Sequence, residues 1–382
     1  MKRLAIFSPG GIGAGSFSQG LPAIATIVRR LSAQFDVTFY SLHPIDPGFK
    51  SDGYRIYSAP TSSLLGANEV AKKVRWLALA VRFLIDHIKT PYHATLSFWG
   101  YPMGTVGVTL SRLVRIPSIV ILLGAETADV PHLRYGHLGV NRRRRLVMWT
   151  CSHASTLICV SKSQLDVLRA QGLEREDAAV IPFGAEAELF PFERKVPGEI
   201  LKILHVANLT EVKDQETLLR AFALLSKGTR ATLRIVGADA LDGAMQRLAR
   251  DLNVGESVEF LGALPFAEMP AQYRWADLFI LTSLSEGQNR SLTEAAMCGV
   301  LQVSTPVGNI IDLGDDVAVV VNVGDPVDVA QKVTAILKDR PAWDRKVANA
   351  RHWADSHSMA WTVAQLSRIV DAISLPAKQS PP

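Results

Sequence analysis

The chain has 382 residues, 48% hydrophobic and 20% charged, a composition that argues against a disordered or fibrous protein and for two or three folded domains. Its 41 Lys and Arg against 36 Asp and Glu leave a formal charge of +5, a mild excess that permits anionic partners without selecting nucleic acid over phosphate or acidic lipid. Three cysteines, Cys151, Cys159 and Cys298, exclude a disulfide scaffold, and although His153 lies close to Cys151, no second such pair completes a zinc or redox spacing.

In chain order, residues 1–8 hold too short an apolar run for a signal segment, and a first buried strand is read at 3–8. Further strands are expected at 37–40, 55–58, 94–98, 118–123, 156–160 and 179–182, with helical stretches at 21–34, 69–88 and 163–171. Residues 183–199 carry Gly184, Pro191, Pro197 and Gly198 without a sustained period and read as a linker. The alternation then restarts, with strands at 202–207, 232–236, 258–261, 278–281, 301–304 and 317–321. A helix over 215–225 places Leu218, Leu219, Phe222 and Leu225 on one face, with Asp214 as its N-cap. A last helical pattern covers 359–373, followed by a polar, proline-bearing tail. No stretch reaches the ~18–20 apolar residues of a bilayer crossing, since even 106–123 is interrupted by Arg112, Arg115 and Pro117, so a cytoplasmic chain is expected. Two successive open parallel sheets predict a cleft between them, with ligand sites at the carboxyl ends of the strands.

The informative segment is SLSEGQNRSLTEAAMCG, residues 283–299, between two predicted buried strands. A helix is expected to begin near Gln288. That places Glu286 in the preceding loop, Gly287 where backbone approaches a ligand closely, Glu294 in the second turn and Gly299 at the C-cap. Free amides of Asn289, Arg290 and Ser291 and the positive helix end favour an anion such as a diphosphate, while the two carboxylates accept hydroxyl hydrogen bonds. Acidic residues are also common at helix starts for dipole reasons alone.

The Glu286–Glu294 spacing, with Glu-Gly at its start, resembles the Glu-x7-Glu motif of glycosyltransferase family 4, a family of retaining sugar transferases. Residues 206–222, VANLTEVKDQETLLRAF, resemble the family's Val-Gly-Arg-Leu, loop, Lys-Gly, helix pattern. Lys213 matches the lysine, Asn208 stands where arginine is usual and Asp214 where glycine is frequent. Residues 160–190 resemble the family's approach to the domain junction, with Pro182 and Gly184 at the turn. Residues 301–328 look like the strand-turn-helix region that follows the second glutamate, and 358–373, with Trp361, look like the closing helix. The resemblance implies an α/β GT-B fold of two Rossmann-like, doubly wound domains facing a central cleft. Residues 1–184 would form the acceptor-side domain and 185–357 the nucleotide-sugar-binding domain, with 358–382 a helix crossing back plus a mobile tail.

The same resemblance implies that Glu294 holds ribose hydroxyls, Glu286 holds donor-sugar hydroxyls, and Lys213 with the amides of Asn289, Arg290 and Ser291 holds the diphosphate. Arg290 is placed to compensate for the charge that Asn208 lacks. Gly10, Gly11, Gly13 and Gly15 have the wrong spacing for a dinucleotide fingerprint. They resemble the family's glycine-rich loop facing the donor phosphates, with Gly13 the best single candidate; a tight turn without a ligand is the alternative. In LLGAETAD, residues 122–129, no histidine precedes Gly124. Glu126 either takes the acidic position near the reacting sugar, as a catalytic residue beside Glu286 and Lys213, or caps the next segment. His132 and His137 follow, and each either reaches the cleft or, as lone histidines more often do, plays a structural part.

Lys72, Lys73, Arg75 and Arg82 share a helix with Trp76, Leu77, Leu79, Phe83 and Leu84, and Arg142 to Arg145 form a second basic cluster. These either touch an acidic membrane as a peripheral contact or make an ordinary crossover helix and a solvated charged turn. The resemblance implies a metal-independent, retaining transfer from a UDP- or GDP-sugar, the co-substrate, to a saccharide, lipid-linked or small-molecule acceptor. No other cofactor and no nucleic acid is expected, since no basic stripe with interleaved aromatics is present. The alternative is a degenerate GT-B protein that binds a nucleotide sugar or a partner without turnover, which Asn208 and the missing histidine motivate.

Overall fold

The computed structural model describes residues 1–13, 21–46, 48–59 and 69–373. Its first half contains β1 (Arg3–Ser8), α1 (Pro22–Ser32), β2 (Asp36–Ser41), β3 (Arg55–Ser58), α2 (Glu69–Lys89), β4 (Ala94–Phe98), α3 (Thr105–Val114) and β5 (Ser118–Leu122). A hairpin of β6 (Asp129–Val130) and β7 (Tyr135–Gly136), α4 (Asn141–His153), β8 (Thr156–Cys159), α5 (Lys162–Ala170) and β9 (Ala179–Val180) complete it. The second half runs β10 (Leu201–Val206), α6 (Gln215–Leu225), β11 (Ala231–Val236), α7 (Ala244–Asp251), β12 (Val258–Gly262), α8 (Met269–Trp275) and β13 (Leu278–Leu281). It continues with α9 (Arg290–Met297), β14 (Leu301–Ser304), α10 (Asn309–Leu313), β15 (Val319–Val320), α11 (Pro326–Leu337), α12 (Arg340–Ser356) and α13 (Met359–Ile373).

Two parallel sheets result, ordered β3-β2-β1-β4-β5-β8-β9 and β12-β11-β10-β13-β14-β15. Each is covered on both faces, and the strands alternate their side chains between the two layers. In β1, Leu4 and Ile6 pack with Ile24, Ile27 and Leu366 of α1 and α13, while Ala5 and Phe7 pack with Leu79 and Phe83 of α2. Both sets are apolar because a sheet sandwiched by helices has no wet face. In the second sheet the α6 face expected from its spacing, Leu218, Leu219, Phe222 and Leu225, is buried on Leu201, Ile203 and Leu233. Burying side chains of this size contributes ~1.5–3 kcal/mol each.

The chain crosses between the lobes twice, at residues 181–186 and 357–359, and the crossings touch. The Gly184 amide donates to Thr362 Oγ1 at 3.0 Å, Thr362 Oγ1 donates to the Pro182 carbonyl at 2.8 Å, and the Met359 amide donates to the Ala185 carbonyl at 3.0 Å. A Cβ on Gly184 would stand 2.2 Å from the His357 carbonyl oxygen, so only glycine lets the strands of the junction meet. Met359, Val363, Leu366 and Val370 then bury α13 in the first lobe's core. Three residues of the first lobe also dock on the second: Ser161 Oγ donates to the Gly287 carbonyl at 2.8 Å, and the Lys162 and Ser163 amides at the start of α5 donate to the Asp312 carboxylate at 2.6 and 2.8 Å. Asp312 thus supplies an anion to the positive end of a helix in the other lobe. Among the described residues no helix is long and apolar enough to cross a membrane.

Candidate active site

In the second sheet the strand order reverses between β10 and β13, so the connections leaving their carboxyl ends diverge and open a crevice. Leaving β13, residues 282–289 run into α9, whose N-cap is Asn289: its Oδ1 accepts the Leu292 amide at 3.2 Å. The helix therefore starts two residues later than the expected Gln288. Gly299 follows the C-cap Cys298 with φ +74°. The amides of Arg290 and Ser291 lie in the first turn, where no intrahelical acceptor exists.

Glu286 is fixed from three sides. Its Oε1 accepts from Lys213 Nζ at 2.5 Å, Ser283 Oγ at 2.8 Å and Asn289 Nδ2 at 3.2 Å. Lys213 comes from the loop after β10, which is pinned by the Leu284 amide on the Val212 carbonyl at 2.8 Å and by Thr282 Oγ1 on the Asp214 carbonyl at 2.8 Å. Asp214 sits in the left-handed region at φ +49°, which explains why glycine is frequent there; aspartate tolerates that conformation and at the same time caps α6 on the Thr217 amide. At an effective dielectric near 20, unit charges ~4 Å apart attract by about 4 kcal/mol, and the closer Lys213–Glu286 pair at 2.5 Å is of at least that order. Desolvation of both partly buried ions offsets much of it, so the pair sets geometry more than stability.

Glu294, one turn further along α9, is buried. Arg290 Nη2 donates to its Oε1 at 3.0 Å and the Tyr273 hydroxyl to its Oε2 at 2.8 Å. Burial pushes the Glu294 carboxyl up, and Arg290 and Tyr273 pull it down. Burial and the neighbouring carboxylate push the Tyr273 phenol far up, so it remains a donor. Tyr273, in α8, is a positioning residue that the motif reading missed; the usable signal was an aromatic hydroxyl on a buried helix face, which needs a partner. The Arg290 Nε is buried without a protein partner among the described residues, and its guanidinium lies 6.0 Å from the Phe266 ring.

These side chains line a cleft of about 410 Å³, whose far wall is the apolar Leu264, Phe266 and Met269 and whose first-lobe edge is Leu21 and Pro22. Asn208, Lys213, Glu286, Asn289, Arg290, Ser291 and Glu294 all face it. Asn208 Oδ1 accepts the Ala238 amide at 3.1 Å, so its side chain also ties β10 to the turn after β11. Gly287 does not line the cleft. A Cβ there would stand 2.5 Å from the Gly124 Cα and 2.6 Å from the Leu123 carbonyl oxygen, so the close approach it permits is to the other lobe's backbone.

Under the cleft floor His205 is fully buried, with Nδ1 on the Ile280 carbonyl at 2.8 Å and Nε2 3.2 Å from Gln215 Nε2. Burial pushes its imidazole down from 6.5 to about 4. The unfolded chain therefore binds the proton near pH 6.5 while the folded chain refuses it until about pH 4. Stability contributed by neutral His205 is complete above pH 6.5 and is lost as pH falls through that window, by up to about 3 kcal/mol. Denaturant midpoints measured between neutral pH and about pH 4 should show a steeper loss for the native chain than for His205→Gln.

Residues 201–339 match the family model described as glycosyl transferases group 1, and residues 21–184 match the glycosyl transferase 4-like domain. The chain belongs to glycosyltransferase family 4, with a GT-B fold. Among curated relatives, D-inositol 3-phosphate glycosyltransferase of Corynebacterium aurimucosum is 29% identical over 295 residues, 71% of this chain and 70% of that protein. GDP-mannose-dependent alpha-(1-6)-phosphatidylinositol monomannoside mannosyltransferase of Mycolicibacterium smegmatis is 31% identical over 173 residues, 42% of this chain and 45% of that protein. N-acetyl-alpha-D-glucosaminyl L-malate synthase of Bacillus anthracis is 31% identical over 140 residues, 36% of each. The matches to these last two thus span less than half of each relative's length. Sucrose-phosphate synthase from Thermosynechococcus elongatus superposes with a TM-score of 0.81 at 16% identity, covering 98% of this chain and 99% of that one. Anabaena HepE in complex with UDP and glucose superposes at 0.75 and 17% identity, covering 97% and 100%.

The first lobe of this family 4 protein departs from the sequence reading at several positions. Glu126 does not reach the cleft as a catalytic carboxylate. It is fully buried, with Oε1 accepting the Gly100 amide at 2.7 Å and Oε2 the Gly124 amide at 3.0 Å. Burial holds its carboxyl above the usual carboxylate range, and these amides offset that only in part. It braces the loop that carries Gly124 toward Gly287, closer to the capping role than to the chemical one. Tyr135 of the β6–β7 hairpin, unforeseen in the sequence, has its phenol pushed up to about 12 by burial and by Glu286 and Glu126. His132 is exposed and lines a different cavity beside Thr210 and Glu216, and His137 packs edge-on against Tyr101. Gly13 has φ +58° under the Phe49 ring and is absent from the cleft lining among the described residues; Gly15 lies outside the described residues. All three cysteines are free and buried.

Proposed function

We propose that the chain is a retaining, metal-independent transferase that moves a sugar from a nucleotide-diphosphate sugar to an acceptor hydroxyl in glycan, lipid-linked saccharide or glycoside synthesis. The observation that carries this is the pairing of Glu286, clamped on one oxygen by Lys213, Ser283 and Asn289, with the buried Glu294 one turn inside the same helix end. In this reading residues 1–184 are the acceptor-side domain, 185–357 the donor domain, and 358–382 the segment returning to the first.

The donor's ribose hydroxyls donate to Glu294, which has lone pairs left beyond those used by Arg290 and Tyr273. The transferred sugar's hydroxyls donate to Glu286, whose Oε2 takes no protein donor among the described residues. The diphosphate meets the amides of Arg290 and Ser291, the Lys213 ammonium and the Arg290 Nε, which has no protein partner among the described residues. Arg290 thereby replaces the charge missing at Asn208. As the glycosidic bond breaks, negative charge grows on the departing phosphate, and these fixed donors stabilise it there without reorganising. Because Glu126 is spent on backbone amides, no protein nucleophile is assigned.

The Anabaena HepE complex with UDP and glucose supports a uridine donor, and the GDP-mannose-dependent relative of Mycolicibacterium smegmatis supports GDP-sugars as the second donor class to test. Asn208 favours one competing reading, a protein that binds the donor without turnover. A panel of UDP- and GDP-sugars read by thermal shift and by release of free nucleotide separates the two. The transferase reading expects one donor class both to raise the melting temperature and to be consumed when acceptor is added. Stabilisation without consumption by any acceptor would favour the binding protein, and no response to any donor would overturn both.

A further inference from the structure

The outer face of α2 carries the wrong chemistry for water. On its inner side Leu79 and Phe83 are fully buried against Phe7 and Tyr40, as a crossover helix requires. The opposite side, which helical patterning would normally fill with charge, presents Val74, Leu77, Val81, Ile85 and Ile88, exposed by 40%, 65%, 44%, 43% and 80%. At ~100° per residue these five fall within an arc of about 80° and form one stripe roughly 21 Å long. Single exposed apolar residues mean little, but a continuous stripe of this kind, on the order of 400–500 Å², marks an interaction surface.

The charge around it is one-sided. Lys73 and Lys89 are exposed at the two ends of the stripe, and Arg82 lies on its edge. Asp86, the single acid from residue 73 to 89, is already engaged by Arg82 at 2.9 Å and by the Tyr40 hydroxyl at 2.8 Å. The neighbouring helices on the same face of the sheet extend the pattern. Leu113 of α3 is 67% exposed beside the exposed Arg112 and Arg115, and α4 opens with Arg142 to Arg145, all exposed. Neither helix contains an acidic residue.

A second copy of the chain fits this surface poorly. Antiparallel pairing of two α2 stripes sets Lys73 against Lys89, parallel pairing sets each lysine against itself, and the stripe supplies about half of the ~800 Å² per partner of a stable dimer. A bilayer containing anionic lipid satisfies both features at once, because apolar side chains enter the headgroup–acyl boundary while Lys and Arg meet phosphates. We propose that the α2–α4 face docks the protein on an anionic membrane surface, with α2 lying in the plane of the interface and its Val74-to-Ile88 stripe facing the acyl chains.

The test is co-sedimentation of the full chain with vesicles of phosphatidylcholine alone and of phosphatidylcholine mixed in equal parts with phosphatidylglycerol. Binding is expected to the mixed vesicles at about 0.1 M salt, to weaken as salt rises, and to be absent on pure phosphatidylcholine. Leu77→Asp with Ile88→Asp should lower the binding constant at least ~10-fold with an unchanged melting temperature, since both side chains are mostly exposed. Lys73→Glu with Lys89→Glu should lower it by roughly fivefold or more per position. Failure of the native chain to bind mixed vesicles at low salt, or undiminished binding by both double variants, would overturn the proposal. So would a concentration-dependent dimer without lipid that the Leu77→Asp, Ile88→Asp variant abolishes, which would assign the stripe to a second copy. None of these readouts uses the transfer reaction, so the donor assignment stands or falls separately.

Discussion

Glu286→Ala is expected to lower sugar transfer by roughly 10²- to 10⁴-fold, measured as kcat/KM with the best donor and acceptor. The substitution removes the acceptor for the transferred sugar's hydroxyls and also releases Lys213, Ser283 and Asn289, whose donors converge on that one oxygen. Lys213 would then be free to fall onto the diphosphate in a ground-state geometry, so donor affinity should change much less than turnover. Glu286→Gln separates the two losses: the amide keeps an acceptor oxygen but gives up the charge that fixes Lys213, and intermediate activity is expected. Because Glu286 lies in a loop between β13 and α9 and not in a core strand, the fold should survive, with a loss of about 1–3 kcal/mol from the broken partly buried pair. Unaltered donor consumption by Glu286→Ala would remove this residue from the chemistry.

Gly287→Ala is the second substitution with a large expected effect, and it acts on the meeting of the lobes. The added methyl would stand 2.5 Å from the Gly124 Cα and 2.6 Å from the Leu123 carbonyl oxygen, and both are backbone atoms that cannot swing aside. Gly124 is itself braced by Glu126 through the 3.0 Å bond to its amide. The strain must therefore be relieved by separating the lobes, which breaks the Ser161–Gly287 bond. It also breaks the paired bonds of the Gln288 side-chain amide with the Phe183 backbone at 2.7 and 2.8 Å. A displacement of ~1 Å between donor and acceptor sides costs on the order of 10²-fold in rate. Nucleotide affinity should stay within about fivefold, because the residues assigned to the nucleotide all belong to the second lobe. Titration with nucleotide, transfer rates and small-angle scattering of the two proteins check this together; equal loss of binding and rate would mean that the change had damaged the donor site itself.

Much of the architecture could be read from the chain because buried parallel strands announce themselves as short runs rich in aliphatic, β-branched and aromatic residues. The segments at 3–8, 55–58, 94–98, 278–281 and 301–304 coincide with strands. The edge strands were overdrawn: 179–182 and 317–321 shrink to Ala179–Val180 and Val319–Val320, since an edge strand needs few ladder bonds and its apolar residues can be held by helices alone. The two-residue strands of the β6–β7 hairpin carry no alternation to detect. Within the site, Asp214 as the cap of α6 and Glu294 in the second turn of α9 were legible because local sequence builds them, whereas Asn289, read as a free amide inside the helix, is its N-cap. What escaped depends on contacts distant in sequence. The Gln288 amide finds the Phe183 backbone 105 residues away, and Gly287 makes room for Gly124 in place of a ligand. Glu126 presents the same difficulty. A carboxylate shortly after a strand end reads equally as catalyst or brace, and only the Gly100 amide, brought to it by the turn after β4, decides between them.

The end of α9 is proposed to seat the diphosphate of an activated sugar between two carboxylates. A crystal structure with a UDP- or GDP-sugar bound tests it most directly. Phosphate oxygens are expected at ~2.7–3.2 Å from the Arg290 and Ser291 amides, with ribose hydroxyls on Glu294 and sugar hydroxyls on Glu286. A donor lodged outside this cleft, or inside it with its phosphates turned away from the start of α9, would contradict it.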